Sequence, residues 1–103
     1  MPDYDTAIFF NKKQKSDKDV AREVLPLLIP VLESISDWTE QNIHDIVIGK
    51  IQEWGRKNGS VLWPMRISIS GQESTPGGAF EIAYLLGKAE TLKRMKASIE
   101  KLA

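Results

Sequence analysis

Val61-Leu62-Trp63-Pro64-Met65-Arg66-Ile67-Ser68-Ile69-Ser70 can be built in two ways. Met65, Ile67 and Ile69 alternate with Arg66, Ser68 and Ser70, the two-residue period of a half-buried strand. No second strand-like run is evident, and a solitary strand leaves its backbone groups unpaired along both edges. Pro64 at a first helical position, with Leu62, Met65 and Ile69 beside it, turns the same residues into a short helix. The chain is then all-α, a multihelical domain of about five helices.

The flanking segments agree with that choice. Upstream, Val20, Val24, Leu27, Leu28, Val31 and Ile35 recur at helical spacing behind Ser16 or Asp17 as N-cap. Pro26 and Pro30 predict two helical pieces or one sharply kinked helix, and the Lys-rich Asn11–Asp17 stretch before them reads as a loop. Thr39 suits the cap of the next helix, with Glu40 in its first turn, Trp38 as a staple on Ile43, and Ile43, Ile46, Val47, Ile51 and Trp54 as its buried stripe. Gly55 and Lys57-Asn58-Gly59-Ser60 carry stop and turn signals. His44 lies off the stripe without a sequence-near partner to tune it, the pattern of a surface histidine.

Downstream, Thr75 suits an N-cap and Pro76 a first helical position, ahead of a helix that stops at Gly87 in a left-handed C′ position. A last helix runs from Lys88 to Leu102, with Leu92, Met95, Ile99 and Leu102 on one face and Lys93, Arg94, Lys96 and Lys101 on the other.

Composition narrows the chemistry. At 103 residues the chain is one domain, and 42% hydrophobic with 27% charged residues is a soluble, globular balance. The longest apolar run, Val24 to Leu32, is too short and too proline-broken to span a bilayer, so no membrane role is expected. The acidic opening Pro2-Asp3-Tyr4-Asp5 lacks the layout of a secretory signal, which predicts a cytoplasmic protein. Without cysteine, and with one histidine, there is no thiolate site, cysteine nucleophile or histidine metal cluster to expect. Phosphate-loop and dinucleotide glycine patterns are missing, Ser68 and Ser70 have no neighbouring histidine, and Glu73 and Glu81 read as solvated acids. No catalytic, cofactor-binding or metal-binding residue is assigned. Fourteen basic and fourteen acidic residues cancel overall, but residues 50–103 hold nine basic and five acidic, so the second half is net positive and permits an anionic partner.

One constellation stands out: Trp63-Pro64-Met65-Arg66 and, nine residues beyond Arg66, Thr75-Pro76-Gly77-Gly78. Arg66 can hold a phosphate or bind a base edge in a bidentate manner, and Trp63 can stack on an unpaired base. A helix start offers free N–H groups, and two glycines allow close approach of a ligand. Glycine at the second and third helical positions would cost roughly 1 kcal/mol each relative to alanine, for which ligand access is one compensation. Each feature has an ordinary alternative: Trp63 as core, Arg66 as a surface ion-pair partner, Pro76-Gly77-Gly78 as a plain turn.

The ordered series Leu62–Gly71, Thr75-Pro76-Gly77-Gly78-Ala79-Phe80-Glu81-Ile82 and Leu85-Leu86-Gly87-Lys88-Ala89-Glu90-Thr91-Leu92-Lys93-Arg94 resembles the C-terminal anticodon-binding end of bacterial glutamyl-tRNA synthetases, class I enzymes. Pro2-Asp3-Tyr4-Asp5, Leu32-Glu33 and Asp37 to Asn42 extend the likeness over nearly the whole chain. The resemblance implies a lead-in segment at 1–16 and an all-helical cage at 17–103 that reads the second and third anticodon bases of the glutamate tRNA. It places Arg66, Thr75 and Pro76 at anticodon-contacting positions, Trp63 at a neighbouring one, and Gly77 and Gly78 beside them. Where a branch of the family carries leucine, this chain has Gly78, which points to a backbone contact. The family's HIGH and KMSKS motifs are missing, so glutamylation with ATP and magnesium would belong to an absent part of the parent, and chain and parent would be monomeric. The rival expectation is a helical protein-interaction module without specific RNA binding.

Overall fold

The computed structural model describes residues 6–72 and 77–102. A 3-10 turn at Thr6–Phe9 is followed by α1 (Lys18–Glu33), α2 (Glu40–Trp54), α3 (Asn58–Ser70), α4 (Ala79–Leu86) and α5 (Lys88–Leu102). The five-helix, all-α expectation holds. Among the described residues the only strand-type pairing is one antiparallel bridge, Asn11 to Ser16, which closes the Lys-rich loop. No described helix is long and apolar enough to cross a membrane.

Asp17 caps α1, its carboxylate accepting from Val20 N at 2.8 Å. The helix then runs unbroken through Pro26 and Pro30, against the expectation of two pieces. Both prolines are exposed, so the carbonyls deprived of a donor face solvent. The inner face buries Ala21, Val24, Leu25, Leu28, Val31 and Leu32. Two internal prolines cost about 3 kcal/mol each, whereas each buried aliphatic side chain contributes roughly 1.5–3 kcal/mol, so packing wins. The stripe is also shifted from the one expected: Leu27 is exposed and Leu25 takes its place in the core.

Thr39 caps α2 through Asn42 N (3.1 Å) and Gly55 ends it in the left-handed region. Ile43, Val47 and Ile51 are fully buried, while Ile46 turns outward and Trp54 is half-buried. α3 starts at Asn58, so Lys57-Asn58-Gly59-Ser60 is a helix start and not a turn, and Pro64 lies inside the helix, not at its first position. The strand-like alternation there has a packing cause. Val61, Pro64, Met65, Ile67, Ser68 and Ile69 are all buried, so the central helix has no polar face to impose a helical period. Its serines are satisfied locally: Ser68 Oγ donates to Met65 O and Ser70 Oγ to Arg66 O, both at 2.7 Å.

α4 is capped by Gly78 and begins at Ala79, three residues beyond the expected start; Thr75 and Pro76 lie outside the described residues. Gly77 and Gly78 therefore precede the helix, and the helix-stability penalty foreseen for them does not arise. Gly87 joins α4 to α5 at φ 84 and ψ 161, a positive φ as glycine permits, but extended and not left-handed helical. α5 packs most extensively on α1, burying Thr91, Met95, Ser98 and Leu102, with Leu92 and Ile99 half-buried.

Helix C-termini are closed by cations from elsewhere in the chain. Lys88 Nζ donates to Glu33 O (2.8 Å), the last carbonyl of α1, and to Ile35 O (2.7 Å) just beyond it. Arg94 Nη1 donates to Ile69 O (2.8 Å) at the end of α3, and Arg22 Nε to Leu102 O (2.7 Å) at the end of α5. These bonds complement the negative helix ends. Arg94, expected on the solvated basic face, is thus a structural tie, and its bond to Glu90 (2.9 Å) holds the Glu90 carboxyl below its ordinary pKa.

Candidate nucleic-acid interface

The first half of α3 and the start of α4 face each other across an open cleft of about 400 Å³. Asn58, Leu62 and Arg66, spaced by four, and Gly59 and Trp63 beside them, put one stripe of α3 on its wall. Gly78, Ala79 and Phe80 supply the facing wall, and Gln14 reaches in from the Lys-rich loop.

Within that cleft the structure joins three of the six residues expected from sequence, Trp63, Arg66 and Gly78. Arg66 lies over the Trp63 ring, 4.9 Å from guanidinium carbon to ring centroid, a cation–π contact between neighbours one turn apart. Trp63 is held in turn: its Nε1 donates to Ile8 O at 3.0 Å, tying the ring to the lead-in. The tryptophan is half-buried, neither core nor a free platform, and it orients the arginine at the cleft wall. Gly78 lines the cleft, and a side chain added there would meet open space. Gly77 lies one residue outside, its α-carbon against the Glu81 carboxylate. Glu81 is the third residue of α4, the position from which a carboxylate favours a helix start. Thr75 and Pro76 fall outside the described residues.

The two helix starts at the cleft differ from those of α1 and α2. Neither Lys57 nor Gly78 makes a side-chain cap hydrogen bond; at α3 the backbone carbonyl of Lys57 accepts from Ser60 N at 3.1 Å instead. Cation, aromatic edge and amide N–H groups are the donors that a single-stranded nucleic acid presents acceptors to.

Sequence reasoning missed Gln14, Asn58, Phe80 and the setting of His44. His44 sits edge-on to Phe80, with centroids 5.0 Å apart at 74°, and its Nδ1 hydrogen-bonds Asp45 at 3.1 Å. It has a partner after all, in the next residue along the chain. That bond and one from Gln41 (2.9 Å) hold the Asp45 carboxyl below its ordinary pKa. Phe80 could have been suspected from its place after Gly77-Gly78; nothing in the sequence points to Gln14.

The profile of the family described as the anticodon binding domain matches residues 1–99. The chain is 50% identical over 102 residues to a glutamate–tRNA ligase of Clostridium tetani, an alignment that takes in 99% of this chain and 21% of that protein. It is 45% identical to the glutamate–tRNA ligase of Clostridium acetobutylicum, with the same coverage of both chains. With the enzyme of the same name from Lachnoclostridium phytofermentans it shares 42% identity over 100% of this chain and 21% of the relative. The chain thus spans about a fifth of the length of these relatives. It belongs to the anticodon-binding-domain family.

Proposed function

We propose that this chain is the anticodon-recognition module of a glutamate–tRNA ligase, binding the anticodon loop of the glutamate tRNA at the α3–α4 cleft. The observation that carries the site is the Arg66 guanidinium fixed over Trp63 at the wall of a cleft whose opposite side is the start of α4. Arg66 supplies charge-assisted hydrogen bonds to a base edge or phosphate. Phe80, half-buried on the facing wall, offers a surface for a base, and Gly78 leaves room for close approach to backbone N–H groups. Thr75, Pro76 and Gly77 complete the set as the segment leading into α4.

In this reading the second and third anticodon bases are read here, and ATP- and magnesium-dependent glutamylation belongs to the rest of a cytoplasmic, monomeric enzyme. The experiment is a titration with a glutamate-tRNA anticodon stem-loop beside one altered at those two bases, at two salt concentrations, with Arg66→Ala as control. Preference for the native loop, lost in Arg66→Ala, supports the assignment. Equal binding of both loops, indifferent to the substitution, would leave a nonspecific basic surface and favour a protein-interaction module.

A further inference from the structure

Gly59 occupies the second position of α3, where glycine costs about 1 kcal/mol relative to alanine. The structure shows what uses the missing side chain. The Gln14 side chain lies directly over the Gly59 α-carbon, where a β-carbon would stand 3.0 Å from Gln14 Cδ and closer still to its oxygen. The loop beneath it is fixed by the Asn11–Ser16 bridge, by Gln14 N donating to Asn11 Oδ1 at 3.1 Å, and by Ser16 Oγ donating to Phe9 O at 2.7 Å. Phe9 is fully buried, so the loop is anchored in the core. A long, neutral side chain is thereby carried across α3 into the cleft that holds Arg66 and Phe80. Among the described residues no hydrogen bond engages its amide group.

We infer that Gln14 is a specificity-determining residue, whose terminal amide hydrogen-bonds the edge of an unpaired base seated in the cleft; this rests on the anticodon-binding reading above. A carboxamide offers one donor and one acceptor side by side and matches bases whose exposed edge carries the complementary pair. Being uncharged, it adds to discrimination between bases and not to phosphate attraction. The Gln14 amide adds to the reading done by Arg66: Arg66 brings charge as well as hydrogen bonds to a base edge or phosphate, whereas Gln14 acts on discrimination between bases alone.

The test is a set of stem-loops differing by single bases at the second and third anticodon positions, titrated against the unsubstituted 103-residue chain, Gln14→Leu and Gly59→Ala at two salt concentrations. Gln14→Leu keeps bulk and removes the amide. Gly59→Ala keeps the amide but displaces it, while favouring the helix, so loss of folding cannot mimic the result. Both variants are expected to lower discrimination at one position about tenfold, with the slope of affinity against salt unchanged. Discrimination that survives Gln14→Leu overturns this inference alone; equal binding of all loops by the unsubstituted chain overturns it together with the anticodon-binding reading.

Discussion

α1 and α2 begin under side-chain caps of their own, whereas α3 and α4 do not. Asp17 and Thr39 cap the first pair through side-chain oxygens, while Lys57 and Gly78 stand at the cap positions of the second without a side-chain bond. The first pair also carries stripes of fully buried aliphatics, and the faces of the second pair at the cleft hold half-buried Leu62, Trp63, Arg66 and Phe80. α3 buries Val61, Met65, Ile67 and Ile69 in the same core, and only its cleft face, with the start of α4, presents accessible donors, as expected where a rigid scaffold carries a binding surface.

That contrast can be broken by substitution. Leu28→Ala, in the fully buried face of α1, should cost about 2–5 kcal/mol, read as a fall in the urea midpoint. Leu62→Ala at the cleft should cost clearly less; an equal loss would mean that the cleft is as much core as the scaffold. Lys88→Met removes two charge-assisted bonds, to the last carbonyl of α1 and to Ile35 O just beyond it, and should cost roughly 1–3 kcal/mol by the same assay. RNA affinity should be lowered no further than the loss of one distant charge explains.

The caps give a sharper pair with opposite signs. Asp17→Ala should destabilise by about 1 kcal/mol. Lys57→Asp, which introduces a side-chain cap and a negative charge at a helix start that lacks both, should stabilise by about 0.5–1 kcal/mol. The same change should weaken stem-loop binding, since it reverses a charge beside the cleft. A thermal melt with a parallel titration checks both signs.

The smallest effect concerns Asp45, exposed and hydrogen-bonded by His44 and Gln41. A carboxyl whose folded pKa is depressed contributes stability above its unfolded pKa, about 3.9, and loses it as pH falls through the lowered value. Asp45→Asn should therefore be slightly less stable than the parent at pH 7, with the gap closing as the pH falls below the ordinary carboxylate range. A gap that persists once the carboxyl is fully protonated would contradict the bonding described.

Helix number and most helix ends were legible in the sequence because caps and glycines are local signals. Asp17, Thr39 and Gly55 act where their residue types predict. The errors share one physical origin in tertiary context. Val24 to Leu32 is apolar on every side apart from its prolines, so periodicity alone does not choose between Leu25 and Leu27 for the core. Asn58-Gly59 has turn chemistry, yet it is helical, with the Gln14 side chain in the space that Gly59 leaves. Arg66 and Trp63 were readable as a pair because three residues along a helix is one turn, while the contribution of Gln14 crosses a fold that no local pattern encodes.

The most direct test of the account is the position of contact with RNA, followed by the indole N–H resonances of Trp38, Trp54 and Trp63 as an anticodon stem-loop is added. Of the three tryptophans Trp63 alone lines the cleft, and Trp38 is bonded to Ala83 O at 3.0 Å. The account predicts that the Trp63 signal moves most, together with the backbone amides of Asn58, Gly59 and Phe80. Shifts confined to the Lys93 and Lys96 face of α5, with Trp63 unmoved, would contradict it.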